Sequence, residues 1–390
     1  MLIAILGSSH AELPLVRAVA ELGHTSLLLS GDAKGLAIGE ANLFELCDYS
    51  SPDAVLSVVQ RTGAAALIAG CNDFAAITAA RVSSKLGFPG YDDPDLVEMI
   101  HTKDRFRLFC KSIGVPAPNA HPFDNLEAAL EYVGDARSKQ ICKPVDLTGG
   151  KGVAVIAGVL DARETISRAL ALSRKSRVVL EDFIEGSLHS LCVLIKQQKP
   201  VFAFFADEVS YPNPFLVSAA VAPSVLKQES CALMIEYVSR IVESMEMVDG
   251  VFHLQFIETV SGPMIIDVCR RPPGDLYLQL ITSATGFDIS REIVNAALGQ
   301  VVNAPKPIAL VPTLRQCLMV PKNGECISAA VSSTYRELEI ETTVLRETPT
   351  VVRDYLVEKL GIGMFQCADP HRLRDFMQDF GAHYEPVMNS

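Results

Sequence analysis

Short apolar runs and stretches of helical period alternate along the first quarter of the chain. LIAIL at 2–6 is a buried-strand pattern, GSSH breaks it at 7–10, and apolar positions from Glu12 to Leu22 recur at helical spacing. TSLLLS follows at 25–30 and ends near Asp32, and ALIAG at 66–70 supplies another apolar strand. A helix is expected from about Phe74 to Leu86, closed by a turn at Pro89 and Gly90. This β-loop-α-β opening implies an α/β unit that precedes the change of character near Met99. The loop Gly7, Ser8, Ser9, His10 is not the GxGxxG of a dinucleotide site, so an NAD role finds no support and Asp32 reads as a turn residue. Asn72 and Asp73 lie just past a strand end, where α/β folds build ligand crevices. Either residue serves equally well as a helix N-cap.

The pattern changes near Met99. HTKDRFRLFCKSIGVPAPNA places basic residues on a helix and leaves through Gly114, Pro116 and Pro118. A helix at 126–133 precedes KQICKPVDLTGGKGVAVI, in which Lys143 sits inside an apolar strand beside a glycine-rich turn, Thr148 to Gly152. Burying such a lysine is costly unless an anion meets it, and free backbone N–H groups in the turn would cradle phosphate oxygens. The plainer alternative is a flexible hairpin. After a helix at 162–173 comes VVLEDFIEG, whose edge could offer backbone groups to a flat heterocycle, with Glu185 as a carboxylate for hydroxyls. A solvated turn accounts for Glu181, Asp182 and Glu185 as well.

VFHLQF at 251–256 and PMIIDVC at 263–269 read as a hairpin turning at Ser261 and Gly262. Period-2 alternation puts Asp267 with Ile265 and Cys269 on one face, to which Gln255 is added from the partner strand, with Arg270 and Arg271 at its end. That face suits a polyanion held through a metal and arginines. A half-solvated hairpin is the alternative.

Composition narrows the choice. Of the 390 residues 49% are hydrophobic and 21% charged, as in ordinary globular proteins, and a chain this long is expected to divide into several domains. The net charge of −12 argues against a nucleic-acid partner. No run is long enough to span a membrane and the start carries no basic signal-peptide flank, so a cytoplasmic protein is expected. Ten cysteines without CxxC spacing read as free thiols, mostly buried.

In order, the KDR helix with its GVPAP exit, the strand lysine in CKP, the glycine loop, LEDFIEG, HLQF and IIDVCRRPPGD resemble the ATP-grasp superfamily, in particular its carboxylate–amine ligases. The resemblance runs from Met1 to about Pro312. It implies an α/β (α+β ATP-grasp) fold: a Rossmann-like unit at 1–98, a first ATP-grasp part with lid at 99–190, a core at 191–315 and a small α+β appendage at 316–390. Lys103 and Lys143 match the lysines on the ATP phosphates. Thr148, Gly149, Gly150, Lys151 and Gly152 match the lid loop. Glu181, Phe183 and Ile184 match the adenine segment, and Glu185 the ribose carboxylate. Gln255, Asp267 and Cys269 stand where the family has Glu, Glu and Asn as Mg2+ ligands, with Mn2+ an alternative ion. Arg271, with Arg270 beside it, matches the arginine that stabilises the acyl phosphate.

The implied reaction activates a small carboxylate with ATP as an acyl phosphate and joins it to an amine, releasing ADP and phosphate. Bicarbonate-using carboxylation is one alternative, since the substrate is left open; nucleotide-gated regulation is another, because all three metal positions depart from the family pattern and sulfur is a poor Mg2+ ligand. Ser8, Ser9, Asn72, Asp73, Gly274 and Asp275, near Tyr277, are the expected substrate residues. Small-molecule carboxylate and amine partners are implied, without nucleic acid or membrane, and the appendage would cover the cleft or build a homodimer contact. His189 and His253 are expected in core or orienting roles.

Overall fold

The computed structural model describes residues 1–135, 138–147, 149–156, 158–306 and 308–389. Its first unit is a parallel sheet with strands in the order Leu43–Leu46, Thr25–Ser30, Leu2–Leu6, Ala66–Ala69. The apolar runs become strands because they are covered on both faces: Ile3 to Leu6 are fully buried between helices that include Leu13–Glu21 and Asp73–Leu86. Ser9 caps the turn His10–Glu12 through a full capping box, and Asn72 caps the helix Asp73–Leu86 by accepting from Phe74 N–H. The loops 7–12 and 70–73 therefore emerge side by side at the carboxyl ends of neighbouring strands, where an α/β sheet carries its crevice.

The second unit is an antiparallel sheet, ordered Ala120–Phe123, Val178–Asp182, Gln140–Pro144, Ala154–Ile156. Helices Leu126–Asp135 and Val159–Leu172 pack on it around a core of its own, with Ile166 and Leu180 fully buried. Residues 183–186 join this sheet to the next one. A Cβ on Gly186 would stand 2.2 Å from the Glu258 carbonyl oxygen, so only glycine lets the link pass this close.

The largest sheet has eight strands, ordered Gly262–Cys269, Gly250–Thr259, Ser187–Lys196, Lys199–Ser210, Val217–Ala222, Thr313–Leu318, Gly361–Gln366, Glu339–Val344. The expected hairpin is at one edge. Leu191, Val193, Phe252, Leu254 and Phe256 face one side, in the core shared with helices Lys103–Ser112 and Gln228–Ser244. Cys192, Leu194 and Val251 face the other, under helices Tyr277–Thr285 and Ile289–Ala297.

The segment after 315 is not a separate appendage. Two of its strands complete the large sheet, and others form the small sheet Thr350–Val352, Gly324–Val331, Tyr384–Met388. The expected divisions at 190/191 and 315/316 fall inside the strands Ser187–Lys196 and Thr313–Leu318, because sheet hydrogen bonding continues through both points. All ten cysteines are free, and seven of them are buried. Among the described residues no helix is long and apolar enough to cross a membrane.

Candidate active site on the core sheet

The hairpin register places Gln255 directly opposite Asp267 and His253 opposite Cys269, so these four side chains share one face, whereas the bulge between Gln255 and Phe256 turns Ile265, expected with them, into the core on the other side. The Asp267 side chain is 30% exposed, and Lys103 Nζ approaches it to 3.7 Å while donating to the Leu147 carbonyl at 2.7 Å. Gln255 reaches across the face and donates from Nε2 to Glu208 Oε2 at 2.7 Å. Burial raises the Glu208 carboxyl pKa, and hydrogen bonds from Ser190 and Gln255 with the Arg315 charge only partly offset this.

Cys269, the third expected ligand, is set back from the pair. Its thiol is buried, contacts the Arg271 carbonyl at 3.7 Å and is pushed by burial up to about 12, which keeps it protonated. Among the described residues no group of three or more His, Cys, Asp and Glu side chains is arranged to hold a metal. What fits a hard divalent ion is a pair of oxygen donors, the Asp267 carboxylate and the Gln255 amide oxygen, with phosphate oxygens and waters left to complete an octahedron.

The two arginines part company. Arg271 Nε donates to Asp73 Oδ1 at 2.8 Å, and His101 Nδ1 lies 3.2 Å from the same oxygen. Burial disfavours the Asp73 charge, yet Arg271 and His101 more than compensate and hold the carboxyl far below the usual carboxylate range. Arg270 points the other way, with Nε on Asp92 at 2.6 Å, Nη1 on the Val251 carbonyl at 2.8 Å and Nη2 on the Val248 carbonyl at 2.6 Å. Its donors are occupied by protein, so Arg270 is an anchor between the parallel unit and the core sheet, not a group facing substrate.

On the lid side, Lys143 has already met an anion. Its Nζ is 2.6 Å from Glu181 Oε2, and Arg107 Nε is 3.0 Å from Oε1 of the same fully buried carboxylate. Burial raises the Glu181 pKa, but Arg107 and Lys143 outweigh it and the group stays below its ordinary value. The Glu181 side chain thus closes an internal cluster, leaving backbone groups of the following link for a heterocycle. Phe183 N–H is itself taken by the Lys139 carbonyl at 2.9 Å, while Ile184 follows it and Glu185 is exposed beyond. Gly149, Gly150 and Gly152 all have φ near +70°, and a Cβ on Gly150 would stand 2.4 Å from the Phe215 carbonyl oxygen. The glycine turn is therefore folded onto the core, with Lys151 exposed at its tip. Thr148 lies outside the described residues.

Most expected substrate residues of the parallel unit have structural duties. Ser8 Oγ donates to the Asp32 carbonyl at 2.9 Å, and Ser9 is bound to Glu12 at 2.7 Å. Glu12, which also accepts from Cys71 N–H at 2.8 Å, ties the loops 7–12 and 70–73 together. Asn72 is a cap, whereas Asp73 faces Arg271. Past Gly274, Asp275 adopts φ +52° and gathers Lys359 Nζ at 2.5 Å and His10 Nε2 at 3.3 Å. Tyr277 is buried and shares a 2.7 Å hydrogen bond with Ser190. His189 is buried, bound to Asp207 at 2.9 Å and Ser187 at 2.7 Å. His253 is also buried: burial and the charges of Arg271 and Arg315 push it down to about 3, and its Nδ1 has no partner among the described residues.

Several residues at this face gave no sequence signal. Glu208, Arg315, Lys359, Arg107 and His10 lie on separate segments, and only strand register and loop closure bring them together. Arg315 is 2% exposed and its Nε has no hydrogen-bond partner among the described residues.

A parallel α/β unit, a small antiparallel lid sheet and a larger core sheet with a cationic and acidic face between them define the ATP-grasp class. Comparison with known proteins agrees. Residues 102–209 match the family described as phosphoribosylglycinamide synthetase, ATP-grasp (A) domain. Phosphoribosylamine–glycine ligase of Lactococcus lactis is 27% identical over 221 residues, covering 57% of this chain and 49% of that protein. The crystal structure of an L-amino acid ligase from Bacillus licheniformis superposes with TM-score 0.82 at 16% identity, covering 100% of this chain and 99% of the other. A biotin carboxylase domain from Hydrogenobacter thermophilus, solved with MgADP and bicarbonate, has TM-score 0.76 at 15% identity and covers 99% of this chain and 90% of that one. The chain spans roughly half the length of curated relatives that it matches. Residues 102–209 thus resemble the ATP-grasp domain family, and the chain as a whole has the fold of these ATP-grasp structures.

Proposed function

We propose that the protein is an ATP-dependent, ADP-forming ligase that activates a small carboxylate and joins it to an amine. The observation that carries this reading is the Gln255–Asp267 pair, set opposite each other on the core sheet with Lys103 and Arg271 at its border. In the proposed reaction a substrate carboxylate oxygen attacks the γ-phosphorus of ATP, the bond to the β-phosphate oxygen breaks, and ADP leaves. The amine then attacks the acyl carbon, phosphate departs with the C–O bond pair, and the amine loses a proton.

Two anions must approach each other in the first step, and cations lower that barrier. Lys103 and Lys143, with Lys151 on the glycine turn of residues 149–152, would neutralise the phosphates. Residues 183–185 would border the nucleoside. Mg2+, or Mn2+ in its place, would be held by Asp267 and the Gln255 amide oxygen and would supply charge neutralisation between phosphate groups. Arg271, held in place by Asp73, would stabilise the charge that develops on the transferred phosphoryl and acyl oxygens. Arg315 and Asp275 would border the substrate.

The test is phosphate release with ATP, Mg2+ and a panel of small carboxylates and amines. Release that requires one carboxylate and one amine is expected. Nucleotide binding without release by any pairing would overturn the ligase and favour a nucleotide-binding regulator, a reading that the replaced ligands Gln255 and Cys269 also suit. Release that depends on bicarbonate would move the assignment to carboxylation.

A further inference from the structure

We propose that Glu208 is a positioning residue that orients the Gln255 amide so that its oxygen, and not its nitrogen, faces the divalent ion; this rests on the ligase reading's metal site. A glutamate needs no such help, because both of its carboxylate oxygens are ligands. A glutamine is two-sided, and an amide turned the wrong way presents N–H groups to a cation. Nothing on the Gln255 strand itself decides between the two orientations.

The decision comes from two strands away in the same sheet. Gln255 pairs with Ser190 on the strand Ser187–Lys196, and the strand Lys199–Ser210 beyond it carries Glu208. Glu208 Oε2 lies 2.7 Å from Gln255 Nε2. A carboxylate accepts and has no hydrogen to give, so it draws the NH2 group and turns Oε1 away. Glu208 is only 6% exposed, whereas Gln255 is half-buried, which places the carboxylate behind the amide on the protein side. Glu208 also supplies, one residue further back, the negative charge that a glutamine lacks. Such outer partners hold ligand geometry at metal centres generally, and their loss weakens binding by about 10- to 100-fold.

The test uses Mn2+ as the probe on the full chain with ADP, reading free Mn2+ by electron paramagnetic resonance, so that no turnover is needed. Glu208→Gln, nearly isosteric, is expected to weaken Mn2+ binding by about 10-fold or more, with ADP affinity in chelator unchanged. Glu208→Asp, which keeps the charge but withdraws it by one methylene, should show a smaller loss and serves if the first variant folds poorly. The discriminating variant is the double Glu208→Gln/Gln255→Glu, which should recover the wild-type affinity because a carboxylate ligand needs no orienting partner. A merely structural Glu208 would not be rescued in this way. Unchanged Mn2+ binding in Glu208→Gln, or failure of the double variant to recover it, overturns the assignment alone. Wild-type protein that binds ADP but no Mn2+ overturns this assignment together with the metal part of the ligase reading.

Discussion

Arg270 and Arg271 are adjacent in sequence, both deeply buried and both paired with an aspartate, yet they belong to two different regions. Around Arg270 every group is occupied: Asp92 and the Val248 and Val251 carbonyls accept from its guanidinium, and its own N–H meets His101 Nε2 at 3.3 Å. Around Arg271 the pattern is unfinished: Asp267 is partly exposed, and among the described residues Gln255 is bound on one side only and His253 has no partner at Nδ1. The two guanidinium groups are alike in charge and nearly alike in burial. Spare hydrogen-bonding capacity is what separates a structural seam from a surface built to meet another molecule.

The contrast can be broken experimentally. Arg270→Ala leaves Asp92 buried without its cation and is expected to cost about 3–5 kcal/mol of stability, read by urea unfolding. Arg271→Lys keeps a charge near Asp73 but loses the planar fork, and phosphate release should fall by about 100-fold while the unfolding midpoint moves much less. If instead both variants lose stability equally and the second keeps its rate, the two regions are not distinct. Next in size is Gly186→Ala. Its methyl group would press on the Glu258 carbonyl and on Ile257, costing about 1–3 kcal/mol, and differential scanning calorimetry should show that loss.

A further comparison concerns the buried ion cluster Lys143–Glu181–Arg107. The folded-state pKa of Glu181 is lowered, so its contribution to stability is complete above the usual carboxylate range and lost as pH falls through the depressed value. Glu181→Gln should therefore flatten the acid limb of the stability profile, measured as unfolding midpoint against pH. A limb of unchanged slope would show that the cluster is not ionised as drawn.

Much of the scaffold was legible in the sequence. The hairpin at 250–269 and its shared face follow from period-2 alternation, and Asn72 as a cap follows from a polar residue before a helical run. The apolar runs LIAIL and ALIAG became fully covered parallel strands. The site was legible only where its residues sit close together in the chain. Glu208 looked like any polar position in ADEVS, and Arg315 and Lys359 stood beyond the part of the chain that carries the motifs. Arg270 read as a companion to Arg271 because period-2 alternation says which side of a strand a residue takes, and not what waits there.

The sequence by itself determined the local choices: strands, helix caps, the glycine turn and the side of the sheet on which Gln255 and Asp267 stand. Those follow from nearest-neighbour sterics and from the spacing of apolar residues. Tertiary structure alone decided which charges are already answered. It gave Lys143 a carboxylate, gave Arg270 a ring of carbonyls, withdrew Cys269 into the core and set Glu208 behind Gln255. The physical reason is that hydrogen bonds and ion pairs act over about 3 Å in space, and residues that distance apart here can be separated by 160 positions in the chain or more, as Arg270 and Asp92 are by 178.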